Sequence, residues 1–244
     1  MRLATILAAL SLAALPLAPP APAFAQEQRQ DARFALEIRG VTVGELLFAG
    51  LETPASYAVS GTVRTTGLAG MLRKMQYDAK VQGFRTPPRF APMRYEQSGG
   101  IGSRYTEEVV VWSGGLPRIE RQDPPRPARD RDADPAQQRG TVDTLTALYA
   151  TLRDVVPGEE CQANLALYDG RYRMQLRMSA PQRNGNATAC TGDYIRVAGF
   201  TAEEMAERTH FPFTVHYAAQ PDGQMRVVRV TMDSLYGSAR LVRR

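Results

Sequence analysis

Ala163-Asn164-Leu165-Ala166-Leu167-Tyr168-Asp169-Gly170-Arg171-Tyr172-Arg173-Met174-Gln175-Leu176-Arg177-Met178 reads as two alternating arms about a turn. Asp169-Gly170 tolerates positive φ at both central positions of a two-residue hairpin loop, so Tyr168 is expected to face Arg171. Counting outward sets Leu167 opposite Tyr172, Leu165 opposite Met174, Ala163 opposite Leu176 and Cys161 opposite Met178. Arg171, Arg173, Gln175 and Arg177 fall together on the other face. A ladder with one apolar and one charged face specifies its own register, because a slip of one residue would turn every apolar side chain to water. Cys161 is thus expected to point inward at the end of the first arm. The only other cysteine, Cys190, follows a turn-rich stretch with Pro181, Asn184, Gly185 and Asn186.

Whether those two sulfurs join depends on the compartment, which the start of the chain addresses. Met1 to Ala25 carries Arg2, an apolar run from Leu3 to Leu17, and small residues ending Ala23-Phe24-Ala25. This is the layout of a secretory signal peptide with cleavage after Ala25. No later segment approaches the ~18 consecutive apolar residues of a spanning helix, so the expectation is a periplasmic protein that is not integral to the membrane. In that setting a Cys161–Cys190 disulfide is expected. Residues 26–244 then form a single β-rich domain of 219 residues, 244 less 25. Loss of Arg2 leaves 29 basic against 25 acidic residues, a balance of +4 that argues against a nucleic-acid partner.

The remaining segments alternate in short runs broken by Gly and Pro, the pattern of a sandwich, barrel or curled sheet. Phe34, Leu36 and Ile38 begin it, Val41 to Leu47 follows with Gly44 weakening it or marking a bend, and Tyr57, Val59, Gly61 and Val63 face inward. Leu68, Met71 and Leu72 have helical spacing between Gly67 and Lys74. Gln76 to Phe84, Met93 to Gln97 and Tyr105 to Trp112 are strands, the last two joined by a loop from Ser98 to Gly102. Phe211, Phe213, Val215 and Tyr217 line an inward face, Val228, Val230 and Met232 return from a Pro221-Asp222-Gly223 turn, and Ser238 to Val242 closes the chain. Two further helices are expected after that short helical turn. Asp143 caps a stripe of Leu145, Leu148, Tyr149 and Leu152 that packs on the sheet, and Thr201 with Glu204 spells a capping box for a short helix over 202–208. Residues 122–140, with four prolines and interleaved Arg and Asp, read as an exposed loop.

No set of side chains announces catalysis. His210 and His216 share one strand side without a third ligand, so no metal site is expected. Ser113, Ser234 and Ser238 sit in no nucleophile turn. Glu107-Glu108 and Glu159-Glu160 are sequence neighbours, which puts them on opposite strand sides or in a turn. Neither a cofactor nor an active site is expected, and a hydrolase is the least favoured reading. Arg171, Arg173 and Arg177 form an outward stripe that fits a solvated face or an anionic contact.

Several short motifs taken together resemble a known family. These are Thr66-Gly67-Leu68-Ala69-Gly70, Asp143 with Thr146-Ala147-Leu148-Tyr149, Leu167-Tyr168-Asp169-Gly170-Arg171, and Cys190, Gly192 and Tyr194 followed by Val197-Ala198-Gly199-Phe200. They resemble the exported bacterial family labelled domain of unknown function 3108, from about Phe34 to Leu241. The resemblance implies a periplasmic protein built on a strongly curled antiparallel sheet, similar in outline to the half-barrels of lipoprotein carriers. The family has no assigned activity, so it supplies no catalytic residue. The leading expectation is a half-barrel or barrel-like sheet with one amphipathic helix packed on it. Its apolar face, Tyr57, Val59, Val63, Phe211, Phe213, Val215 and Tyr217, is expected to hold a lipid-like or other apolar ligand, in a binding or envelope-maintenance role. The alternative is a scaffold that meets an envelope protein through 122–140.

Overall fold

A computed structural model describes residues 27–244. The predicted signal segment and its cleavage point lie outside the described residues, as does the side chain of Leu68.

The first half is a meander: β1 (Gln28–Ile38), β2 (Val41–Glu52), β3 (Ser56–Thr65), the short helix α1 (Gly67–Leu72), β4 (Met75–Thr86), β5 (Arg89–Ile101), β6 (Arg104–Ser113) and β7 (Leu116–Asp123). Helix α2 (Thr144–Leu152) follows. Next come β8 (Asn164–Tyr168), β9 (Arg173–Met178), β10 (Gln182–Asn184), β11 (Ala187–Ala198), α3 (Ala202–Glu207), β12 (His210–Ala219), β13 (Met225–Ser234) and β14 (Gly237–Arg243). All strands belong to one antiparallel sheet whose order runs β7-β6-β5-β4-β3-β2-β1-β14-β13-β12-β11-β9-β8, with β10 beside β11. The first and last strands thus meet in mid-sheet, where Phe34 pairs with Arg243 and Ile38 with Ala239. The sheet is nearly closed, a barrel-like form that hides all but two edges.

Those two edges, β7 and β8, are joined by the segment between them. Val142 bridges Leu167 in parallel, its N–H donating to Ala166 O at 2.8 Å while Tyr168 N donates back to Val142 O at 2.9 Å. Gly140 N reaches Gly115 O at 2.8 Å, and Ala133 N reaches Arg171 O at 2.9 Å. The Glu108 carboxylate of β6 accepts from Gln122 Nε2 at 2.7 Å and from Arg126, and lies against Gly170 of the β8–β9 turn. Residues 122–140 are mostly exposed, as the composition predicts, yet they are fastened into this seam.

Several sequence expectations need correction. The key hairpin pairs Tyr168 with Arg173, Leu167 with Met174 and Leu165 with Leu176, a shift of two residues from the count above. Asp169 is the cause: its carboxylate accepts from Arg171 N at 3.0 Å and Tyr172 N at 2.7 Å, which lengthens the connection to residues 169–172. A slip of two preserves the faces, so Leu167 and Met174 remain buried. Cys161 lies before β8 with φ 65°, outside the arm assigned to it, and Cys190 sits within β11. The disulfide between them forms as expected, with 5.4 Å between the Cα atoms. Gly99 and Gly100 belong to β5 and β6 pairing rather than to a loop. Val228 faces outward, because a bulge between the pairs His216–Arg229 and Tyr217–Val227 leaves it extra and turns Val227 inward instead. Gly44 does mark a bend, a register shift opposite Leu36 and Glu37.

Candidate functional site

Helix α2 runs across the inside of the sheet. Its start is fixed by Asp143, whose side chain accepts from Thr146 N at 2.8 Å and from the Thr146 hydroxyl at 2.5 Å, and Thr146 in turn bonds the Tyr57 hydroxyl of β3 at 2.8 Å. Asp143 is wholly buried, and burial raises its carboxyl to about 6 against the pull of those hydrogen bonds. Leu145 lies over Gly61 and Tyr149 over Gly50, both glycines being places where the helix comes within side-chain contact of the strand backbone. The Tyr149 ring meets Phe48 and Phe90 edge-on at 5.5 and 6.1 Å. Tyr217 of β12 donates to Thr151 O at 3.2 Å. Strands far apart in the sheet order thereby clasp one helix.

The helix leaves a space at each end of the barrel. The upper space, at the end that carries the β1–β2 turn, holds about 350 Å³. Leu36, Leu46, Val63, Tyr77, Ala79, Leu145, Leu148, Val230, Met232 and Leu241 line it. Its few polar groups are Thr62, Gln97, Thr144, Arg240 and the tyrosine hydroxyls. Gln97 Oε1 is already taken by the Tyr95 hydroxyl at 2.6 Å, whose proton burial holds tightly. The result is an almost wholly apolar recess of the size that small-ligand sites occupy.

The lower space, about 510 Å³, lies between the Pro87-Pro88 and Gly114-Gly115 turns and the start of β8. It is more polar, with Arg89, Arg153 and Glu159 in its wall beside Trp112 and Tyr217. Behind it stands a buried ionic cluster. Glu52, 1% exposed, accepts from the Tyr149 hydroxyl at 2.7 Å and pairs with Arg85 at 2.8 Å and Arg153 at 3.8 Å. Both guanidinium groups also stack 5.8 Å from the Phe90 ring centre. These charges fasten the end of α2 to the sheet.

Comparison with known proteins decides the family. The family model described as "Protein of unknown function (DUF3108)" matches residues 33–242. The chain belongs to the DUF3108 family. No curated protein sequence matches it. Among solved structures it is similar to a β-barrel-like protein of domain of unknown function DUF1849 from Brucella abortus. That similarity covers 88% of this chain and 94% of that one, at 11% identity and a TM-score of 0.44.

In this DUF3108 chain the sequence-derived ligand face is divided. Tyr57, Val59, Phe211, Phe213, Val215 and Tyr217 are all buried, Tyr57 and Tyr217 hydrogen-bonded to α2, while Val63 lines the upper recess and Tyr217 the lower one. The upper recess draws its wall from β1 to β5, β13, β14 and α2, mostly at residues outside the sequence-derived face. Their alternation was visible, but nothing local says which stretch of a core face α2 leaves bare. The arginine stripe is partly covered: Arg171 donates to Pro127 O at 3.0 Å and approaches Asp132 at 3.4 Å, and Arg173 donates to Gln138 Oε1 at 2.8 Å. His210 bonds Asp193 on the outer surface, and burial and nearby Arg229 lower the pKa of His216. Among the described residues no three His, Cys, Asp or Glu side chains gather as a metal site. Ser234 is spent within its own turn, donating to Gly237 O at 2.6 Å. The Cys161–Cys190 disulfide suits an oxidising, extracytoplasmic compartment. No helix among the described residues is long and apolar enough to cross a membrane.

Proposed function

We propose that this protein is exported to the periplasm and there binds an apolar or lipid-like molecule in the upper recess, without catalysing a reaction on it. The observation that carries the reading is the lining of that recess: aliphatic and aromatic side chains on every wall, with its one amide acceptor already satisfied by Tyr95. Apolar surface left in contact with water costs about 25 cal/mol per Å², so a hydrocarbon guest that replaces water there gains on both sides of the contact. The volume suits a short acyl chain or a compact ring system better than a whole phospholipid. The leader-like segment at 1–25 and the disulfide support the compartment.

The test is displacement of a fluorescent fatty acid, with native mass spectrometry of the gently purified protein. Ala79 lines the recess, and Ala79→Phe fills it from the wall. Wild-type protein is expected to take up the probe and Ala79→Phe, folded by circular dichroism, to lose at least tenfold in affinity. No uptake by the wild type, or equal uptake by the variant, ends the proposal.

A further inference from the structure

Four neighbouring connections form part of the upper end of the barrel, which also carries α3 and the β8–β9 turn: Arg39 to Val41, Thr66 to Lys74 around α1, Ile101 to Tyr105, and Leu235 to Gly237. They form one continuous arc, held together by backbone. Arg39 N donates to Ser238 O at 2.9 Å, Thr66 N to Val43 O at 3.0 Å, and Gly102 N to Lys74 O at 2.8 Å. Arg39 Nε adds a bond to Tyr236 O at 3.0 Å.

The arc has the wrong surface for water. Met71 is 83% exposed, Leu72 88%, Tyr236 72% and Val41 64%, with Tyr105 and Leu235 also exposed. Met71 and Leu72, read from sequence as part of a short helical turn, thus face solvent rather than the core. Between these side chains stand Arg39, Arg73, Lys74 and Arg104, and the four connections contain no Asp or Glu at all. None of the four cations is in an ion pair among the described residues. Of the acids near by, Glu37 pairs with Arg240 and Arg244 and Asp78 bonds Thr62 and Gln76, while Asp233 stands exposed before the Leu235 turn and Glu203, Glu204 and Glu207 of α3 lie beyond the arc at the same end. At the opposite end the turns include Thr53-Pro54-Ala55, Pro87-Pro88, Gly114-Gly115 and Pro221-Asp222-Gly223, none of them with paired basic and large apolar residues.

From this juxtaposition we infer that the arc is a docking surface for an anionic lipid bilayer, which seats the mouth of the upper recess against the membrane. Apolar tips interleaved with cations and tyrosine are what an interfacial contact requires, since the tips enter the headgroup boundary while the cations stay among the phosphates. Within these four connections four positive groups and no negative one disfavour a second copy of the same arc, and the interleaving of exposed aliphatic, tyrosine and basic side chains favours an anionic lipid surface. The recess opens at this end: Leu36, Val63, Tyr77, Met232 and Ala239 line it, each two positions inside the end of its strand. A guest leaving the bilayer would thus enter without crossing water, which extends the ligand proposal; docking itself stands on the arc alone.

Co-sedimentation of the purified protein with vesicles tests it, using phosphatidylcholine alone and phosphatidylcholine mixed with phosphatidylglycerol. Wild type is expected to bind the mixed vesicles, to bind neutral ones weakly, and to release as salt rises. Arg73→Ala with Lys74→Ala should weaken binding about thirtyfold, at roughly 1 kcal/mol per basic residue near the surface. Met71→Asp with Leu72→Asp, at positions too exposed to unsettle the fold, should abolish sedimentation while leaving displacement of soluble fatty acid unchanged. Vesicle binding that these variants do not alter, or no binding to mixed vesicles by wild type, overturns the inference. So does a concentration-dependent dimer in analytical ultracentrifugation that Met71→Asp with Leu72→Asp dissolves, since the arc would then be a contact between copies. Lost docking with intact fatty-acid displacement separates failure here from failure of the ligand proposal.

Discussion

Asp143 combines a capping role with full burial, and the two act oppositely on its proton. The cap favours the carboxylate because it accepts from Thr146, while burial disfavours any charge and prevails, holding the group at about 6 against an ordinary 3.8. A carboxyl raised on folding contributes stability that is complete below its unfolded value and is lost as pH climbs through its folded one. The protein is therefore expected to lose up to about 3 kcal/mol through this group between pH 4 and pH 7. Asp143→Asn keeps an acceptor for Thr146 and removes the charge, so urea melts across that range should show a wild type whose stability falls and a variant whose corresponding contribution stays flat. An identical pH slope in both would show that Asp143 does not titrate with folding. Sequence reading found Asp143 as a cap from its position before Leu145 and Tyr149. It could not find the burial, which comes from β3 and β8 closing over the cap.

Helix α2 matters at the level of elements because it is where the two halves of the sheet meet. Gly50 and Gly61 mark its approach, and they differ in what opposes an added methyl group. At Gly50 a Cβ would collide with the Tyr149 ring, whose hydroxyl is fastened to Glu52, whereas at Gly61 it would meet a Leu145 methyl at 2.7 Å. A leucine end can turn aside and a tethered ring cannot. Gly50→Ala is expected to cost about 1–3 kcal/mol as overpacking, and Gly61→Ala clearly less, measured by chemical denaturation. Equal costs would mean that α2 shifts as a body. The alternation that defined β3 and β12 was plain from sequence, as were the stripe of α2 and the capping box of α3. Strand β7 was not read, because it is an edge strand with Pro117 and mostly polar side chains, where little burial disciplines the pattern. The two-residue slip of the β8–β9 hairpin has a like cause: the apolar pattern forbids odd slips but is indifferent to even ones, and the Asp169 side chain decided.

For the whole molecule, the disulfide and the seam hold the β8 edge of the sheet. Cys161 and Cys190 are 29 residues apart and fasten the start of β8 to β11, across β9. In the chain-entropy account a loop of that size is worth about 3–4 kcal/mol, so Cys161→Ser with Cys190→Ser should lower unfolding stability by that amount. The measurement is a denaturant melt fitted for both midpoint and slope, the slope rising as the unbridged unfolded chain expands. A loss below 1 kcal/mol would show that the seam around Glu108 and Val142 retains the edge without the bridge.

By itself the sequence determined an antiparallel β chain with an internal capped helix, one pair of cysteines and an exposed Arg/Asp/Pro segment, because periodicity, caps and turn residues act over a few neighbouring positions. Tertiary structure alone decided that the helix lies inside the curl and leaves an oily recess above it, that residues 122–140 stitch the sheet shut, and that four remote turns unite in one basic, apolar rim. Those outcomes depend on how far the sheet coils and on which strands become neighbours, and both are fixed by packing between segments separated by as much as the full described chain.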